Sequence, residues 1–114
     1  VNRLFVFGTL TSPQTRKDAV GRDLKVLVER AYAPGMVEIQ RRYAGQKWPT
    51  MVPMANMHTT GQILLVNDDD LKKLDKWEAN YRRQTIATDR GDCWTYIFKV
   101  RHHAIPGAAL SRSR

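Results

Sequence analysis

Leu4-Phe5-Val6-Phe7-Gly8-Thr9-Leu10 opens the chain with an unbroken apolar run that stops at a glycine. Four successive apolar residues do not alternate between a wet and a dry side, so the run reads as a strand covered on both faces. A buried strand cut off at a glycine lets the next backbone N–H groups face a ligand without side-chain obstruction, which can build an anion or oxyanion site; an ordinary strand-to-helix turn fits the same residues. In the second half of the chain, Leu74-Asp75-Lys76-Trp77-Glu78-Ala79-Asn80-Tyr81-Arg82-Arg83 reads as the end of a helix that carries a carboxylate. The two segments together suggest a small enzyme with one acid/base residue.

Outward from the first strand, Ser12-Pro13 supplies an N-cap and a first-turn proline for a short helix through about Val20. An extended stretch from Lys25 to Tyr32, a turn at Ala33-Pro34-Gly35 and a second stretch from Met36 to Ile39 read as a hairpin. Residues 41–60 show no period and contain Trp48-Pro49, Met51, Pro53, Met54 and Met57, the pattern of a long functional loop whose Met and Trp residues serve packing. Gly61 to Val66 is another strand, and Gln84–Thr88 and Trp94–Val100 are two more, joined by a turn at Asp89-Arg90-Gly91-Asp92. Period-two alternation puts Trp94, Tyr96, Phe98 and Val100 on one face. The expected organisation is one domain over residues 1–103 and a mobile basic tail over 104–114.

The helix between these strands has a well-marked start. Asn67 is the expected N-cap, and Asp68, Asp69 and Asp70 fill the first turn, where carboxylates complement the positive end of the helix dipole. At about 100° per residue Leu71, Leu74 and Glu78 share one stripe, so Glu78 points inward. An ionised carboxylate on an apolar stripe is costly, and its pKa is expected to climb from about 4.3 toward the neutral range suited to general acid/base work. The competing reading is a structural Glu78, paired with Arg82 or Arg83 or left outside a helix that ends before it. Asp75 falls at the stripe's edge, where capping or hydrogen bonding suits it better.

Composition narrows the class. A chain of 114 residues, 42% hydrophobic, is long enough for one core and too short for two. The single cysteine, Cys93, excludes an internal disulfide framework and a cysteine zinc site, which favours a reducing, cytoplasmic setting. No apolar run approaches the roughly 18 residues of a membrane helix, and the start of the chain lacks a signal-peptide pattern. The chain opens on Val1 and not Met, which points to processing or trimming there. A net charge of +8 would attract polyanions or acidic small molecules. The basic residues are nonetheless scattered, clustering only at Arg41-Arg42, Arg82-Arg83 and the terminus, with no nucleic-acid-binding signature; this patterning favours a solvated basic surface over a nucleic-acid partner. His58 stands alone, and His102-His103 would alternate sides of a strand without further ligands, so no metal site is expected.

These segments, in this order, resemble the gamma-glutamylcyclotransferase-like family. Leu4 to Leu10 is similar to the Tyr-Gly-Ser/Thr-Leu signature that opens it, Trp48-Pro49 to its aromatic-Pro loop, and Gly61 to Val66 to its Gly-led strand. Leu74-Asp75-Lys76-Trp77-Glu78 resembles its Leu-Asp-x-x-Glu helix end, Tyr81-Arg82-Arg83 with Ile86 and Thr88 its Tyr-x-Arg strand, and Trp94-Thr95-Tyr96 its closing aromatic strand. The resemblance runs over residues 4–98 and implies an α+β fold, a small mixed β-barrel with a few flanking helices. It further implies a cofactor-independent cyclotransferase that converts a gamma-glutamyl amine or peptide into 5-oxoproline and a free amine. In that reading Glu78 is the catalytic acid/base, Phe7, Gly8, Thr9 and Leu10 hold the glutamyl group, and Tyr81 and Arg83 occupy motif positions with substrate or structural roles. Two residues depart from the pattern: Phe7 replaces the usual Tyr, and Ala79 stands where many members have Gly. The other reading is a non-catalytic domain of the same fold that binds a small acidic ligand or nucleic acid.

Overall fold

The computed structural model describes residues 1–99; Val100, the His102-His103 pair and the tail at 104–114 lie outside them. Strand β1, Asn2–Val6, occupies the middle of a five-stranded mixed sheet of order β2-β3-β1-β5-β4. The remaining strands are β2 (Lys25–Tyr43), β3 (Gln46–Val66), β4 (Tyr81–Thr88) and β5 (Gly91–Phe98), with helices α1 (Pro13–Val20) and α2 (Asp68–Trp77). β1 runs antiparallel to β3 and parallel to β5, with Leu4 opposite Leu64 on one side and Trp94 on the other.

The continuous apolar run of β1 is explained by two cores. Leu4 and Val6 join Leu64, Val66, Val20, Leu71 and Leu74 beneath the helices. Phe5 turns the other way and joins Ala31, Ala33, Met51, Ile63, Ile86 and Cys93 inside the curl of the sheet. A strand in the middle of such a sheet has no wet face, so nothing in it alternates. Gly61 lies where β1 ends: a Cβ there would come within 2.2 Å of the Val6 carbonyl oxygen and 2.8 Å of the Phe5 ring, so only glycine permits this approach.

The curl brings the edge strands β2 and β4 together at one place. The Tyr32 carbonyl accepts from the Asp89 N–H at 2.9 Å, and the Tyr32 N–H donates to Asp89 Oδ1 at 2.7 Å. Among the described residues no strand ladder joins these edges, so the α+β fold is a curled mixed sheet pinned at its seam, with two helices outside. No helix among the described residues is long and apolar enough to cross a membrane.

Two expectations are corrected. Ala33-Pro34-Gly35 is not a turn: β2 runs straight through it, with a register shift between Pro34, opposite His58, and Met36, opposite Pro53. Gly35, at φ 73°, provides the left-handed residue of a bulge, a use of Pro and Gly that sequence cannot distinguish from a turn. The chain actually reverses at Ala44 and Gly45, both at positive φ. Residues 41–60 are likewise not a loop, since most belong to β3, paired with β2 in a long two-stranded ribbon. β1 joins β3 only from Gln62 onward, so among the described residues the earlier part of β3 has no ladder along its second edge, where Pro49 and Pro53 are tolerated.

Candidate active site

Where β1 ends, the chain enters a single 3-10 turn, Thr9–Thr11, which is anchored by the buried Leu10. The Gly8 carbonyl accepts from the Thr11 N–H at 3.1 Å and from Thr11 Oγ1 at 2.7 Å, and the Thr9 carbonyl accepts from the Ser12 N–H at 3.0 Å. The carbonyls of the turn are thereby used, whereas the N–H groups of Gly8, Thr9 and Leu10 have no protein acceptor among the described residues. Arg16, 3% exposed, holds the turn from behind: Nη1 donates to the Leu10 carbonyl at 3.1 Å and Nε to Asp23 at 2.8 Å. Asp23 is in turn held below its usual pKa, chiefly by that bond to Arg16.

The second part of the site is the end of α2. Asn67 and Asp70 form a capping box at its start, and Asp70, fully buried, also takes the Arg22 guanidinium at 2.7 Å. With the start fixed, Leu71 and Leu74 point into the core. The helix closes at Trp77, and Glu78 is its C-cap, with its N–H on the Leu74 carbonyl at 2.8 Å. Glu78 therefore lies just past the helix and is half-buried all the same. Burial pushes its pKa up to about 7.

No side chain neutralises it among the described residues. Arg83 makes a two-pronged pair with Asp75, at 3.0 and 3.2 Å, and lies over the Trp94 ring at 4.5 Å. Tyr96 also donates to Asp75, at 2.7 Å, so Asp75 is a structural acceptor, and desolvation with that carboxylate raises the Tyr96 pKa. Arg82 forms no ion pair among the described residues.

Glu78 and the Gly8 turn open onto one cavity of about 230 Å³. Its walls include Phe7, Thr9, Leu10, Trp48, Pro49, Tyr81, Thr95 and Tyr96. Phe7 stacks on Phe5 at 6.2 Å. The Tyr81 hydroxyl donates to the Pro49 carbonyl at 2.9 Å, and burial, followed by the charge of Glu78, raises its pKa to about 12. Trp48 lies flat against Phe98 at 5.3 Å and fixes the third wall. Glu78, Phe7, Gly8, Thr9, Leu10 and Tyr81 thus line this cavity, and Arg83, the other motif residue, does not. Thr95, Tyr96 and Lys47 line it too, without having been singled out for the site. Thr95, fully buried with Oγ1 donating to the Phe5 carbonyl at 2.9 Å, had no sequence mark apart from its place in an aromatic strand. A carboxylate whose pKa is pushed up to about 7, sharing a partly apolar cavity with a turn whose N–H groups are unengaged, has the chemistry to move a proton while charge develops on a nearby oxygen.

The family model for gamma-glutamyl cyclotransferase, AIG2-like, matches residues 4–111. No curated protein matches the chain. Among solved structures, two Arabidopsis thaliana proteins determined in solution are 22% and 27% identical, both at a TM-score of 0.68, over 85% and 86% of this chain. This chain spans 61% and 68% of their lengths. A solved gamma-glutamyl cyclotransferase is 13% identical at a TM-score of 0.69, over 86% of this chain and 66% of its own.

Proposed function

Because the chain belongs to the AIG2-like gamma-glutamyl cyclotransferase family, we propose that it cyclises a gamma-glutamyl compound to 5-oxoproline and releases the amine, with Glu78 carrying the proton. The observation that supports this reading most directly is the shared cavity, lined both by a half-buried carboxylate with a pKa near 7 and by Gly8, Thr9 and Leu10, whose N–H groups are unengaged among the described residues.

The reaction needs little more than these parts. The substrate's α-amine attacks its own γ-carbonyl, forming the ring C–N bond, and the bond from that carbon to the leaving amine then breaks. Holding the glutamyl chain folded supplies most of the advantage, since nucleophile and electrophile belong to one molecule. The α-ammonium loses two protons in becoming the ring N–H; Glu78 takes each in turn and passes it to the departing nitrogen, which leaves as an ammonium, and a carboxylate of pKa near 7 is a stronger base than an ordinary one and remains a competent acid. The N–H groups of the Gly8 turn stabilise the charge that grows on the carbonyl oxygen. No proton is lost or gained overall.

The test is incubation with gamma-glutamyl amino acids, gamma-glutamyl amines and glutathione, following 5-oxoproline. Release from at least one compound, falling by roughly 10²- to 10⁴-fold in Glu78→Gln, is the expected result. Absence of product from the whole panel would turn the reading toward a binding domain.

A further inference from the structure

Among the described residues, the wall of the cavity has two charged side chains, Glu78 and Lys47. We propose that Lys47, with Arg42 beside it, forms a cationic rim that selects gamma-glutamyl compounds whose departing amine bears a free carboxylate. This rests on the cyclotransferase reading and names the substrate class of the same site.

The geometry comes from β3. The Pro49 ring packs 3.5 Å from where a Cβ on Gly8 would stand, so that face of β3 looks onto the opening turn. Lys47 is two residues earlier in an uninterrupted register, Gln40 opposite Pro49, Arg41 opposite Trp48 and Arg42 opposite Lys47. Side chains repeat every second residue along a strand, so Lys47 leaves β3 on the Pro49 face, and its cross-strand partner Arg42 shares that face.

Two cations directly across a ladder repel each other. Among the described residues neither has an ion-pair partner. The nearest carboxylate on that face of the ribbon is Glu38, opposite Met51, beyond Gln40 and about 13 Å along the strand from Arg42. An incoming carboxylate relieves the repulsion. Lys47 and Arg42 are both exposed, whereas Glu78 and Gly8 are half-buried, so a glutamyl group held at Glu78 and Gly8 sends its leaving half outward to this rim.

The experiment compares gamma-glutamyl-alanine with gamma-glutamyl-alanine amide, which differ only in that carboxylate. The ratio of their kcat/KM values for 5-oxoproline release should favour the acid by roughly tenfold or more, the scale of a charge-assisted hydrogen bond, and should shrink as salt is raised. Lys47→Met with Arg42→Met should bring the ratio close to one, and Lys47→Arg should keep it. A ratio unaffected by the double substitution overturns the rim. If neither compound is turned over, the cyclotransferase reading is judged separately, on the wider panel. Calorimetric binding of the two compounds to Glu78→Gln then decides the rim: a preference for the acid that the double substitution removes upholds it, and equal binding overturns it.

Discussion

At Glu78, the burial that makes the carboxylate a useful base also weakens the fold, and both effects are readable from pH. Its pKa of about 7 predicts that kcat/KM for 5-oxoproline release rises as pH passes through 7, because the ionised form must accept the first proton; a flat profile between pH 5.5 and 8.5 would contradict this. The folded pKa lies above the ordinary value of 4.5, so below that pH both folded and unfolded chains hold the proton and nothing is lost. Between about 4.5 and 7 the unfolded chain has released a proton the folded one keeps, and stability falls as pH rises. Glu78→Gln should therefore raise the melting temperature at pH 8, by about 1–3 kcal/mol in stability, and leave it nearly unchanged at pH 4.5. Although the helix closes one residue before Glu78 and helical phase does not set its direction, the residue type and its place at the end of α2 were legible in the sequence. Its freedom from Arg83 was not, because that depended on Asp75 and Trp94 occupying the guanidinium.

Elements differed in how far the chain spelled them out. α2 was legible because its start is encoded locally, in a capping box of Asn67 and Asp70; Asn67→Ala should cost about 1 kcal/mol in a urea melt. Gly61 could be seen in the sequence to open a strand segment, yet the reason it must be glycine is the Val6 carbonyl 2.2 Å from where a Cβ would be. Gly61→Ala should lower stability by roughly 1–3 kcal/mol and, by displacing the end of β1, should reduce activity as well. An alanine variant as stable as the parent would show that β1 and β3 separate easily there. The β2–β3 ribbon was misread at its mid-strand bulge and at its reversal. Pro34-Gly35 looks like a turn and is a bulge, whereas the true reversal at Ala44-Gly45 carries only one residue of the usual pair.

On the scale of the whole molecule, the cavity exists because the ribbon is fastened across the sheet. The Tyr81 hydroxyl holds the Pro49 carbonyl, Thr50 Oγ1 accepts from the Phe98 N–H at 3.0 Å, and Trp48 stacks on Phe98. Tyr81→Phe removes one fastening and should cost about 1 kcal/mol, with KM rising more than kcat falls. A large loss of kcat with unchanged KM would mean instead that the hydroxyl acts on the reacting atoms.

The sequence by itself determined the buried central strand, the glycine stop, the capped helix and the position of Glu78 at its end, since each depends on residues close together in the chain. Only the tertiary structure decided that residues 46–66 form one strand, that Arg83 belongs to Asp75, and that Lys47 reaches the cavity holding Glu78 and Gly8. Those outcomes follow from the path of a ribbon paired along one edge, with prolines and methionines leaving no apolar period to read. Local periodicity carries no information about which distant partner covers a face or claims a charge.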